Sequence, residues 1–105
     1  MIAAQFIFEP GDYDDEFHTL DESIDRDARA LPGFIGIDKW VSEDGTRINV
    51  IYYFADMSAV TKLGRIEDHR DAKKKVDRWY KGYRVVVSEV TATYGNMPHL
   101  AAPID

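Results

Sequence analysis

The chain has no cysteine, which excludes a disulfide framework, a thiolate nucleophile and a thiolate-held metal. It has no basic excess either: 13 Lys and Arg stand against 19 Asp and Glu, for a net charge of −6. Nucleic-acid binders are normally basic, with a basic stripe, so no nucleic-acid partner is expected. No apolar run approaches the ~18 residues that suggest a membrane span. The N-terminus lacks a basic region ahead of its short apolar stretch, so no membrane and no secretory signal are expected, and the default location is cytoplasmic. There is no Gly-rich phosphate loop, because Gly33 and Gly36 flank the start of a strand rather than opening a helix. The three histidines, His18, His69 and His99, lack metal-ligand spacing. No metal and no cofactor are expected.

What is present is enough for one packed domain: 105 residues, 45% of them hydrophobic. Charge is segregated. Residues 9–27 hold nine acids and one Arg, whereas residues 62–84 hold nine Lys or Arg and four acids. That asymmetry reads as two helices of opposite charge, each presenting a solvated face.

Residues 2–9, IAAQFIFE, are rich in strand formers and end at Pro10-Gly11. Tyr13, Phe17, Leu20, Ile24, Ala28 and Leu31 then recur at helical spacing, forming one apolar stripe that ends at Pro32-Gly33. Asp12 is placed to cap this helix. A hairpin is expected from residues 34–42 and 47–55, turning at Asp44-Gly45. Asp56 and Ser58 cap a short helix through Val60, Leu63 and Ile66. Glu67-Asp68 cap a further helical piece carrying His69, Ala72 and Val76, and Lys81-Gly82 break it. Residues 83–94 form the last strand.

The order β-α-β-β-α-β predicts an α+β, ferredoxin-like fold: a four-stranded antiparallel sheet with its helices on one face. Alternation is imperfect. Ile48, Val50, Tyr52 and Phe54 point one way, yet Ile51 and Tyr53 point the other; Val85 and Val87 oppose Val86 and Val90. A sheet wetted on one side alternates cleanly. The second apolar face therefore calls for a partner, and a second copy of the chain, sheet against sheet, is the expected one.

The stretch YYFADMSAVTKLGRIEDHRDAKKKVDRWYKGYRVVVSEVTATYG, with LPGFIGIDKW before it, resembles antibiotic-biosynthesis monooxygenase domains of the dimeric α/β-barrel superfamily. The carriers are Phe54, Asp68-His69-Arg70, Trp79-Tyr80, the Tyr83-to-Val87 strand and Tyr94-Gly95. The resemblance spans residues 1–95 and leaves 96–105 as a tail, which either covers a pocket mouth through Met97 and His99 or stays disordered. It implies a homodimer with an apolar pocket between sheet and helices in each protomer. It also implies an activity on small aromatic molecules: cofactor-independent monooxygenation of an anthrone- or quinol-like substrate. The alternative is a non-catalytic dimeric module that binds a small ligand or serves in a stress response. Haem degradation is set aside, because Leu63, Lys73 and Gln5 stand where that branch has Trp, His and Asn. Muconolactone-type isomerisation is a further reading of the same barrel.

His69 is the candidate base, placed near a helix start that favours neutral imidazole. The competing reading is a hydrogen bond from its ring that joins two helical pieces. Candidate substrate-binding residues are Tyr52, Asn49, Tyr83, Leu63 and Phe54. Each has a structural alternative: strand tyrosines pack one end and wet the other, and Asn49 matters only if it is buried. Tyr52 and Tyr53 face opposite sides of the sheet, so at most one of them reaches a helix-side pocket.

Overall fold

The computed structural model of the chain describes residues 1–65 and 76–102. Its elements run β1 (Ile2–Pro10), α1 (Asp15–Arg29), β2 (Phe34–Val41), β3 (Ile48–Phe54), α2 (Met57–Arg65), α3 (Val76–Trp79) and β4 (Tyr80–Glu89). The four strands make one antiparallel sheet in the order β2-β3-β1-β4. This is the α+β, ferredoxin-like βαββαβ arrangement expected from the sequence. The second helical piece around His69 and Ala72 lies outside the described residues.

Register sorts the strands into two faces. Ala4 of β1 lies opposite Tyr52 of β3 and Val87 of β4, and Ile37 of β2 lies opposite Tyr52. These residues share a face with Phe6, Phe8, Val50, Phe54 and Val85. Helices α1 and α2 pack on that inner face, where the core joins Ala28 of α1, Ala59 and Leu63 of α2, and Ala4, Ile37, Tyr52 and Phe54 of the sheet. Phe54, Leu63 and Trp79 are the largest fully buried side chains. The outer face carries Gln5, Ile7, Asp38, Trp40, Asn49, Ile51, Tyr53 and Val86.

Helix α1 buries its predicted stripe, with Phe17 and Ala28 innermost. Its cap is a correction: Asp14, not Asp12, accepts the Phe17 N–H at 2.8 Å. The chain stays extended two residues longer because the Gly11 N–H donates to the Trp79 carbonyl at 2.7 Å, tying it to the end of α3. The Asp14 carboxyl is held below its ordinary range, first by that Phe17 N–H and further by the Trp79 indole and Arg78. Arg78 also reaches Glu16 at 3.1 Å, so one guanidinium straddles the first turn of α1.

The hairpin turns where expected. Gly45 takes φ +74°, a conformation that L side chains rarely adopt. Asp44 Oδ1 accepts from Ser42 Oγ at 2.8 Å, from Thr46 N at 3.1 Å and from Thr46 Oγ1 at 2.7 Å. Those bonds, Thr46's foremost, hold its pKa down to about 2. The last strand differs at both ends. It starts at Tyr80 and runs through Lys81-Gly82, with an irregularity where Glu9 pairs with Gly82 and Pro10 with Tyr80. It stops at Glu89, opposite Ile2, and the Val90 N–H beyond it donates to the Met1 carbonyl at 2.9 Å.

The tail is attached rather than loose. Ile37 and Ala101 exchange both backbone hydrogen bonds, at 2.7 and 2.9 Å. The Leu100 N–H donates to Asp38 Oδ1 at 2.9 Å, and His99 Nδ1 lies 3.3 Å from Asp38 Oδ2. Gly36 makes room for this docking, since a Cβ there would lie 2.6 Å from the His99 ring. Among the described residues no helix is long and apolar enough to cross a membrane.

Candidate functional site

A cavity of about 520 Å³ opens between the inner face of the sheet and α1. That volume falls within the ~300–1,000 Å³ usual for small-molecule sites. Its floor is apolar and aromatic: Phe6 and Phe8 of β1, Val50 and Tyr52 of β3, and Tyr80, Tyr83 and Val85 of β4. Leu63 closes the α2 end, and Leu100 and Ala101 of the tail close the β2 edge. Phe8 and Tyr80 stack with centroids 4.4 Å apart, and Phe6 meets Tyr52 edge-on at 5.8 Å. Such a surface suits a flat, largely apolar molecule.

Charged groups line two sides of the cavity. Asp21, Glu22, Asp25 and Arg29 of α1 line the cavity, with Lys39 of β2 opposite. Asp21, Asp25 and Arg29 follow one another at intervals of four, which sets them on one helical face beside the apolar stripe. Arg29 Nε donates to Asp25 Oδ2 at 2.8 Å, and the Tyr52 hydroxyl donates to Asp25 Oδ1 at 3.4 Å. Asp25 is thus held by two partners. Asp21 carries no hydrogen bond or ion pair among the described residues. Asp21 is an exposed residue, yet neighbouring protein crowds its carboxyl. That crowding pushes its carboxyl up, Lys39 opposes the shift, and Asp25 adds to it. Burial likewise raises the phenol of Tyr52, with Asp25 and Asp21 adding to the effect, and the phenol of Tyr80, with Tyr13 and Asp21 adding. Both phenols therefore stay protonated as donors near neutral pH.

The residues singled out in the sequence separate clearly. Tyr52, Tyr83 and Leu63 line the cavity. Phe54 shares their face but is fully enclosed in the core behind them and lines no part of it. Asn49 is a correction. It lies on the outer face, where its Nδ2 donates to Gln5 Oε1 at 3.1 Å, because neighbouring strand residues point to opposite sides. Tyr53 is outward too, with its ring 4.5 Å from that of His99. His99 accordingly faces away from the cavity, and Met97 is exposed rather than inserted. His69 lies outside the described residues. Among the described residues, no three His, Asp or Glu side chains converge as a metal site.

No family model and no curated protein sequence matches the chain. Solved structures match it well. Rv0793 from Mycobacterium tuberculosis is 17% identical with a TM-score of 0.74, over 90% of this chain and 98% of that one. SnoaB from Streptomyces nogalater, a cofactor-independent oxygenase, is 11% identical with a TM-score of 0.72, over 90% and 97% of the two chains. A Nitrosomonas europaea protein provisionally named an antibiotic biosynthesis monooxygenase is 13% identical with a TM-score of 0.65, over 88% and 100%. At these identities the likeness establishes a shared fold, that of structures named as antibiotic biosynthesis monooxygenases.

Proposed function

We propose that the chain is a cofactor-independent monooxygenase of the antibiotic-biosynthesis type, acting in the cytoplasm as a homodimer on a small aromatic, anthrone- or quinol-like substrate. The observation that carries this reading is the cavity. It has an aromatic floor, acids and Arg29 of α1 on one wall and Lys39 on the other, on the fold that SnoaB, named a cofactor-independent oxygenase, also has.

Such a substrate brings its own electrons. Removal of a proton from an anthrone methylene leaves an anion spread over the rings and the carbonyl. That anion passes one electron to dioxygen, and the radical pair combines to a carbon-bound peroxide. Loss of the second methylene proton, with cleavage of the oxygen–oxygen bond, gives the quinone carbonyl and water. One oxygen atom enters the product and the other leaves as water. The protein's part is to hold the rings against Phe6, Phe8 and Tyr80, accept the proton, and offer donors to developing negative charge. Tyr52, whose hydroxyl donates to Asp25, braces the wall beside the floor. His69, the base expected from the sequence, lies outside the described residues.

The homodimer reading draws on the outer face, where Ile7, Ile51, Tyr53 and Val86 are only half-buried and Trp40 is 54% exposed. The second reading, a binding module without turnover, is favoured by Leu63, an aliphatic residue at the buried end of the cavity. Dioxygen uptake by metal-free and flavin-free protein, over a panel of anthrones and hydroquinones, separates the two. Protein-dependent uptake with quinone formation is expected. Binding without uptake would establish the module instead.

A further inference from the structure

The oxygenase reading requires a proton acceptor inside the cavity, and the described residues supply one that the sequence did not single out. We infer that the Asp21 carboxylate is the group that removes the proton from the bound carbon or phenol acid, with Lys39 across the cavity balancing the anion so formed. This inference rests on the reading given above.

Position comes first. Asp21 lines the cavity one helical turn before Asp25, facing the aromatic floor. Its neighbour is already committed: Asp25 accepts from Arg29 at 2.8 Å and from Tyr52 at 3.4 Å. A carboxylate so engaged is a poor base, because its lone pairs are directed at fixed donors. Asp21 has none among the described residues, so its lone pairs are available to a substrate proton.

Environment comes second. An acceptor is most effective when its basicity approaches that of the group it deprotonates. Crowding already pushes the Asp21 carboxyl up. An aromatic ligand on the cavity floor would cover part of the exposed Asp21 side chain, moving it further the same way. The charge that matters to the product anion is Lys39, which lines the opposite wall and acts on Asp21 electrostatically.

The step balances without further groups. The substrate C–H bond breaks, its proton passes to an Asp21 oxygen, and the electron pair stays on carbon and delocalises into the ring carbonyl. The protonated Asp21 returns that proton to the peroxide after dioxygen has added, regenerating the carboxylate for the second C–H. Dioxygen is the only oxidant.

Proton removal can be followed apart from oxygenation. Anthrone held anaerobically with the protein in deuterium oxide exchanges its methylene hydrogens at a rate read by NMR, while dioxygen uptake is measured separately. Asp21→Asn should lower both rates at least a hundredfold with a native circular dichroism spectrum, and Asp21→Glu should keep part of each. Full exchange and uptake in Asp21→Asn would overturn the role of Asp21 and leave the oxygenase reading standing. Absence of both in the unmodified protein would instead overturn the oxygenase reading, and this inference with it.

Discussion

The two faces of one sheet are built from the same strands by the same alternation, yet they end differently. Inward, Phe6, Val50, Tyr52 and Phe54 meet helices and form a core with a cavity beside it. Outward, Ile7, Ile51 and Val86 are interleaved with Gln5, Asn49 and Asp38; Asn49 Nδ2 meets Gln5 and Asp38 meets His99, while Asn49 Oδ1 is buried without a hydrogen-bond partner among the described residues. The inner face has apolar area enough to hold the fold and a ligand. The outer face has too little cover for its apolar residues. It is suited to contact rather than chemistry.

The difference breaks most sharply in the core. Phe54→Ala should cost about 3–5 kcal/mol and Leu63→Ala about 2–5 kcal/mol, because each empties a fully enclosed position. Urea unfolding checks this, and losses below 1 kcal/mol would mean that the helices are not seated on this face. On the outer face, Val86→Asp should leave monomer stability within about 0.5 kcal/mol, as for ordinary surface changes. It should nevertheless shift the protein from dimer to monomer in light scattering. A dimer unchanged by that substitution would place the interface elsewhere.

The first of these predictions was largely legible in the sequence. The stripe of α1 and the alternation of β3 mark Phe17, Ala28, Tyr52 and Phe54 as neighbours, and parity says that Tyr52 and Tyr53 cannot share a pocket. The same parity that turns Tyr52 inward turns Asn49 outward. Asp21 was harder to see. An acid on an amphipathic helix in an acidic segment reads as a solvated face, and only its step of four from Phe17 and to Asp25 hints that it borders the buried stripe. The docking of the tail through Ala101 had no local signal, because it depends on a backbone pairing with Ile37 across the sheet edge.

Smaller effects sharpen the contrast within the inner face. Tyr52→Phe removes the hydroxyl that reaches Asp25. It should weaken ligand binding by about 1 kcal/mol, roughly fivefold, with the fold intact. Ligand titration followed by tyrosine and tryptophan fluorescence would show it. At the start of α1, Asp14 has a folded pKa below its unfolded value. Its contribution is therefore present above the unfolded carboxylate pKa of about 3.9 and is lost as pH falls through the lower folded value. Asp14→Asn should accordingly lower the thermal midpoint at pH 7 and converge on the unmodified protein as the solution is acidified towards pH 2. A gap independent of pH would show that the charge plays no part.

The most direct test of the whole account is where an aromatic ligand binds. Titration of the isotopically labelled protein with an anthraquinone sulfonate should shift amide signals around Phe6, Asp21, Tyr52 and Tyr80. Those around Gln5, Asn49, Tyr53 and His99 should stay in place. Shifts centred on the outer-face group would contradict the assignment of the cavity as the functional site.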